Sequence, residues 1–337
     1  MTRALRGLLL FVFTLALIGI GMISLMPMLW RWIPQSVVLV PAAPQFAVAS
    51  LILALMFLLL RARKGALLAF AVAAWNVVQV WPGFGDLSGA TQAQAGGTPL
   101  KVVAFNLWYR NEDPAATLDY LAKSGADVIG LVETTPELKA ALAPLKTLYP
   151  YAIDCIGTDP DCEIMLLSKV PLRKPYAGRI DGRFPYVAEG EIDWGGRPIT
   201  VAMTHLSWPF LVPRQAALSA TTLEPPLPEL PDVPRLAQSL QAANLAGYVN
   251  KLPHDLVLMG DFNSASWSQM QIAFREATGL DNRGHYLPSW PTFAWSMLRL
   301  PIDQVFVRGA PRVTEMRLGP SVGSDHLPIE AEVAVGP

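Results

Sequence analysis

Three apolar runs crowd the first quarter of the chain and restrict its fold more than anything that follows. Residues 7–30 are 24 residues without a charge, 36–60 are 25, and 65–82 are 18, against the ~20 that a membrane-crossing helix needs. A bilayer offers no water to the backbone, so a spanning segment must satisfy its own amides, and a helix does so. The expectation is an all-α transmembrane region of three helices over residues 1–82. Pro41 and Pro44 weaken the start of the second run, which should become regular only near Gln45. A cleaved signal peptide is the alternative for the first run, and a buried helical hairpin for the other two.

Basic residues set the orientation. Arg3 and Arg6 precede the first run and "RARK", residues 61–64, separates the second from the third, whereas only Arg31 lies between the first two. This predicts a multi-pass protein of the cytoplasmic (inner) membrane, with the amino terminus and residues 61–64 in the cytoplasm and everything after residue 82 extracytoplasmic. Residues 83–98, "GFGDLSGATQAQAGGT", are small and polar without hydrophobic periodicity and read as a flexible linker.

The rest, residues 99–337, has the size of one soluble domain. Six basic residues and one acidic residue precede position 98, leaving 20 Lys plus Arg against 26 Asp plus Glu, a net charge of −6. Long nucleic acid is bound largely by neutralising phosphates, so it is not the expected partner. The two cysteines, Cys155 and Cys162, are separated by six residues that include Gly157 and Pro160. They can close a small loop in an oxidising compartment or remain two free thiols. Neither has the companion spacing of a zinc site.

Strand-like and helix-like stretches alternate along this domain. "LKVVAFNL" and "ADVIGLVE" are β-rich, and residues 113–124 have helical spacing with Asp113 as a cap before Pro114. Helices are also expected over 137–148 and 235–250, and strands at "EIMLLS", "LVLM", "IDQVFV" and "LPIEAEVAV". Two β stretches flank "WGGRP", the pattern of a hairpin. Residues 223–234 are Pro-rich and read as an extended surface loop. This mixture predicts two packed sheets flanked by helices rather than one parallel sheet.

Polar residues recur where the apolar runs stop. Asn106 ends the first β run, Glu133 ends "DVIGLVE", His205 ends "ITVAMTH", Asp261 and Asn263 end "LVLMGDFN", and "GSDH", residues 323–326, precedes the last strand. Singly each has an ordinary explanation: Gly-Asp-x-Asn is a common turn, a Glu after a strand is usually solvated, and a lone His is usually structural. Five coincidences that take in two of the chain's four histidines are a different matter. Carboxylates, amides and imidazoles are the groups that metal-assisted phosphoester chemistry requires.

The ordered set "FNLW", "VET", "THL", "GDFN", "IDQVFV" and "SDH" resembles the motifs of the endonuclease/exonuclease/phosphatase superfamily, over roughly residues 100–335. The resemblance implies a four-layered α/β sandwich, two packed mixed sheets between helices, with the site at one end of the sheets. It implies Glu133 as the principal ligand of a divalent cation, assisted by Asn106 and Asp325. A carboxylate with amide and water oxygens suits Mg²⁺, and Mn²⁺ can substitute. Asp261 would orient or deprotonate the attacking water and Asn263 would hold the phosphate or the same water. His205 and His326 would donate to phosphoryl oxygens or serve the leaving group, and Asp303 would pair with His326. "SWPTFAW", residues 289–295, resembles a segment that shapes the substrate pocket in relatives, though its aromatics are equally suited to a core. The loop 207–234 is a second candidate for substrate or membrane contact. The expected partners are the bilayer and a phosphorylated substrate, lipid-linked or a small extracytoplasmic phosphoester. A membrane-anchored nuclease and an inactive membrane sensor are the alternatives, the second opposed by the intact motif set.

Overall fold

The computed structural model describes residues 2–84, 99–209, 230–233 and 236–336. Its first part is three helices, α1 (Arg3–Leu25), α2 (Ala43–Leu59) and α3 (Arg63–Val80). With their extensions, Arg3–Leu29, Pro34–Leu59 and Arg63–Gly83 are long and apolar enough to cross a membrane. Pro34–Ala42 winds as a 3₁₀ helix, and α2 begins at Ala43 with Pro44 in its first turn, where a missing N–H costs nothing. Small residues let the helices approach: Ala54, Ala66 and Ala69 pack with Leu17 and Phe57. Asn76 Nδ2 donates to Ser24 Oγ at 3.0 Å, so this buried polar pair links α1 and α3.

The second part contains, among the described residues, β1 (Leu100–Asn106), α4 (Pro114–Lys123), β2 (Val128–Val132), α5 (Pro136–Ala141), β3 (Tyr151–Asp154), β4 (Met165–Ser168), β5 (Arg173–Ile180), β6 (Arg183–Trp194) and β7 (Arg197–His205). There follow α6 (Ala237–Val249), β8 (Leu256–Asp261), α7 (Gln269–Thr278), β9 (Asp303–Arg308), β10 (Pro311–Leu318) and β11 (Ile329–Val335). A six-stranded sheet has the order β10-β11-β1-β2-β4-β3 and a five-stranded sheet the order β5-β6-β7-β8-β9. Both are mixed, with β1–β2 and β7–β8 as parallel pairs. The expected sandwich is the observed one.

Alternation along the strands explains the layers. In β8, Val257 and Met259 face the six-stranded sheet and join Ile129, Leu131 and Val201 in the main core. Leu256 and Leu258 face outward and pack with Leu245, Val249 and Phe274 of α6 and α7. Gly260 has no room for a side chain, because a Cβ there would collide with the carbonyl oxygen of Thr204 on β7. Asp113 caps α4 by accepting from Ala116 N. The helix expected over 137–148 is instead split into α5 and a 3₁₀ turn, Ala143–Thr147, which Pro144 opens.

The two parts are in contact. Val37, Val40, Ala43 and Val80 pack with Ala265 and Trp267. Trp267 Nε1 donates to Val40 O at 2.9 Å, and Gln45 Nε2 donates to Arg299 O at 2.9 Å. Of the expected linker, Gly83 and Phe84 are packed, Phe84 being stacked on Trp267, while 85–98 lie outside the described residues. So does most of the Pro-rich stretch 223–234.

Candidate active site

The strand register brings the site together. His205, Asp261 and Asp303 sit level on neighbouring strands, His205 opposite Asp261 and Asp261 opposite Asp303. In the other sheet Asn106 is level with Val132, and Glu133 follows it. Directly opposed residues point to the same face, so these side chains converge at one end of the sandwich. The loop between β10 and β11 adds Asp325 and His326 through Ser324, whose hydroxyl donates to Asn106 O at 2.7 Å.

All eight residues proposed from sequence lie in this cluster. Asn106 Nδ2 donates to Glu133 Oε1 at 2.9 Å and Asp261 Oδ2 at 3.0 Å, bridging carboxylates from the two sheets. Its Oδ1 accepts from Trp108 N at 2.9 Å, so the amide's nitrogen faces the site. Asp261 is 1% exposed, and its Oδ1 accepts from Asn263 N at 2.8 Å. Its Oδ2 lies 3.7 Å from Nε2 of both His205 and His326. Asn263 Nδ2 donates to Leu206 O at 2.8 Å. Trp108, Glu133 and Asn263 have φ of 58°, 53° and 49°. That left-handed backbone is costly for side chains other than glycine and is typical of sites whose surroundings over-determine them.

Each imidazole has its own carboxylate. His326 Nδ1 lies 2.8 Å from Asp303 Oδ2, which also accepts from Ser289 Oγ at 2.5 Å. His205 Nδ1 lies 2.6 Å from Glu163 Oε1. Burial alone would lower both histidines, but the carboxylates more than offset it. Glu163, Asp261 and Glu133 push His205 up to about 10, and Asp303, Asp261 and Asp325 push His326 up to about 9. Burial and then the Asp303 charge push Asp261 above the usual carboxylate range, and burial raises Asp325.

Glu163 and Ser289 were not among the expected site residues. Glu163 lies two residues before β4, which runs antiparallel to β2, so its start lies at the same end of the sheet as the end of β2. Of the segment 289–295, Ser289 and Trp290 belong to the site, and Trp290 Nε1 donates to Asp325 Oδ2 at 3.0 Å. Phe293 and Trp295 project away, 83% and 76% exposed. Of the loop 207–234, Trp208 meets Trp290 edge-on with centroids 5.0 Å apart, and residues 210–229 lie outside the described residues.

Two features suit a cation. Asp261, Asp303 and His326 offer ligand atoms within 4.8 Å of one another. Asp325 Oδ1 and Asn263 Oδ1 are buried with no hydrogen-bond partner, and an unpaired buried oxygen is expensive unless something positive meets it. Asp303 is already engaged by His326 and Ser289, whereas Asp325 Oδ1 is open and its carboxylate feels the negative charge of Glu133. The donor set of carboxylate and amide oxygens fits a hard divalent ion.

The family profile described as "Endonuclease/Exonuclease/phosphatase family" matches residues 103–326. The chain belongs to this family. Its members are usually phosphoester hydrolases that use divalent metals. Among solved structures, the endonuclease/exonuclease/phosphatase from Bacteroides vulgatus matches with a TM-score of 0.54 at 13% identity, covering 71% of this chain and 99% of that one. A D. rerio TDP2 humanized by 14 mutations matches with a TM-score of 0.52 at 16% identity, covering 70% and 98%. The corresponding protein from Beutenbergia cavernae gives 0.52 at 16% identity, covering 71% and 72%. At these identities the likeness is one of fold. No curated protein matches the chain significantly.

Proposed function

We propose that this endonuclease/exonuclease/phosphatase protein is a membrane-anchored, Mg²⁺-dependent phosphoester hydrolase whose catalytic domain lies outside the cytoplasm. Its substrate is a lipid-linked phosphate or pyrophosphate, or another small extracytoplasmic phosphoester. The observation that carries the chemistry is the double approach of two imidazole Nε2 atoms, from His205 and His326, to one oxygen of Asp261, at 3.7 Å each. Donors gathered at one point suit the negative charge that redistributes over a phosphoryl group in hydrolysis.

Asp261, fixed by Asn263 N and Asn106 Nδ2, orients and deprotonates the attacking water. His205 and His326 donate from Nε2 to phosphoryl oxygens or to the leaving group, their Nδ1 atoms being held by Glu163 and Asp303. Asn263, whose Oδ1 is open, holds the attacking water. Glu133 and Asp325 would hold the cation, with Asn106 setting the Glu133 carboxylate, and Mn²⁺ would serve in place of Mg²⁺. The bound cation supplies Lewis-acid charge to the phosphoryl oxygens.

The extracytoplasmic placement is supported by the basic residues at 61–64 and by the Cys155–Cys162 disulfide, since such bonds persist in oxidising compartments. The net charge of −6 over residues 98–337 argues against long nucleic acid as substrate. The test is a screen of the full chain against lipid pyrophosphates, phospholipids, inositol phosphates and plasmid DNA with Mg²⁺. Turnover that EDTA abolishes and Mg²⁺ or Mn²⁺ restores is expected for a lipid or small phosphoester. Silence on every phosphoester with both metals would overturn the reading, and cleavage of DNA alone at physiological salt would replace it with a nuclease.

A further inference from the structure

Beside the site stands a short tongue of chain with an apolar surface that the catalytic chemistry does not use. Residues 292–299 leave the site at Thr292, whose N donates to Asp325 O at 2.8 Å and whose hydroxyl donates to Ser324 O at 3.0 Å. They return at Arg299, whose guanidinium donates to Thr292 O at 2.9 Å and Ala294 O at 3.1 Å, closing the tongue on itself. Between these clasps Phe293 is 83% exposed, Trp295 76%, Met297 71% and Leu298 53%. Four large apolar side chains within six residues, held out by a braced backbone, form a patch that a soluble surface rarely tolerates.

Its height relative to the spans follows from one contact. Gln45, in the first turn of α2, donates to Arg299 O at 2.9 Å and to Tyr286 Oη at 3.2 Å. Helix α2 has 17 residues and α3 has 18, each about 25–27 Å long and so close to the thickness of the hydrocarbon layer. Both start or end at the basic 61–64 turn on one side, which places Ala43–Gln45 and Trp81 at the opposite boundary. Trp32 and Trp81, 77% and 66% exposed, stand at that same boundary, where amphipathic rings gather in membrane proteins. The two crossings that separate them, α2 and α3, put the 30–43 segment and the catalytic domain on the same side of the bilayer, as their direct packing requires.

We propose that the tongue 292–299 is seated in the interfacial layer of the bilayer that α1–α3 span, with Phe293, Trp295, Met297 and Leu298 inserted among the lipids, so that the mouth of the site beside Asp325 is held against the headgroups. The tongue then presents the site to phosphates in its own leaflet; that consequence rests on the phosphoesterase reading, whereas the insertion does not.

The full chain is reconstituted in phosphatidylcholine/phosphatidylglycerol vesicles with an environment-sensitive fluorophore on Phe293→Cys. The native cysteines are paired with each other, so the label reports the new thiol. The reference is Asp193→Cys, an exposed residue near the end of β6 beside the β6–β7 turn, at the opposite end of the strand that leads to His205. Nitroxide lipids labelled near the glycerol backbone should quench the 293 label strongly and leave the 193 label unaffected. Equal, weak quenching at both positions would overturn the proposal. In a second arm, Phe293→Ser combined with Trp295→Ser should lower kcat/KM several-fold on a phospholipid presented in vesicles and leave hydrolysis of bis(4-nitrophenyl) phosphate unchanged. An equal fall on both substrates would place these residues in the chemistry and overturn the proposal. Absence of all hydrolysis in the unsubstituted chain would refute the proposed function, while the quenching result would still decide the insertion.

Discussion

The two imidazoles of the site stand at the same distance from Asp261 but are braced in opposite ways. His326 and its partner Asp303 have side chains 5% and 4% exposed, and Asp303 is the first residue of strand β9, further held by Ser289. His205 is 16% exposed and its partner Glu163 is 41% exposed. Glu163 belongs to no strand; it follows Cys162, which the disulfide ties to Cys155. One histidine is therefore oriented by the sheet and the other by a covalently closed loop. In a buried pair, losing one partner strands a charge, whereas water can substitute in part for a lost partner at the surface. The two braces should differ in what their removal costs.

The largest effect is expected where the comparison collapses, at the group both rings share. Asp261→Ala should cost about 3–4 kcal/mol of transition-state stabilisation, roughly 10²–10³-fold in kcat, the scale of a preorganised catalytic group. Near-normal turnover in that variant would remove Asp261 from the mechanism. Next comes the buried brace. Asp303→Asn keeps the shape but takes the charge from His326 and its preferred tautomer with it, so kcat should fall about 10²-fold. A loss no larger than that from the exposed brace would show that burial does not separate the two pairs.

How much of this could be read in the sequence depends on strand direction. Asn106, Glu133, His205, Asp261 and Asn263 close apolar runs and were conspicuous for that reason. Glu163 opens one, and only the antiparallel pairing of β4 with β2 shows that an opening residue stands at the same end. The same geometry brings Asp303 and His326 to the site; His326 is legible because "GSDH" precedes the last apolar run, and Asp303 only through motif order. The strands that escaped notice are β3, β5 and β10, all of them sheet edges. Their outer positions are largely exposed, as in "RKPYAGRI" of β5, so no alternation of apolar and polar residues marks them. Helix α7 was hidden by composition, since glutamine and threonine fill part of its buried face. The spans were plain because a bilayer demands continuous apolarity, but their packing against Trp267 could not be read from a pattern that is apolar all round.

The exposed brace gives the sharper tests. Glu163→Gln should lower kcat only about tenfold, since the ring keeps a hydrogen-bonding neighbour and partial access to water. Its distinguishing mark is in the pH profile. Burial works against the charged ring and Glu163 is the largest opposing influence, holding His205 up to about 10. Without that charge the pKa falls, so His205 loses its proton at lower pH and the alkaline decline of kcat should begin earlier than in the native chain. An unchanged profile with a reduced plateau would mean that Glu163 acts on shape alone.

The smallest catalytic effect is expected from the loop that carries this brace. Replacing Cys155 and Cys162 by Ser opens a link with a sequence separation of 7. Loop-closure entropy for so short a ring predicts a loss of about 2–3 kcal/mol in stability, readable as a lower denaturation midpoint. The Glu163 backbone retains one anchor, the bond from Thr134 N to Glu163 O at 3.0 Å, so the side chain should wander rather than leave. The reduced chain should then show a shallow version of the Glu163→Gln phenotype, a few-fold loss in kcat with a partial shift of the alkaline limb, while Asp303→Asn should be equally damaging with or without the disulfide. If opening the loop instead changed the fold-loss that Asp303→Asn causes, the two braces would share one support, and the division between a sheet-held and a loop-held histidine would fail.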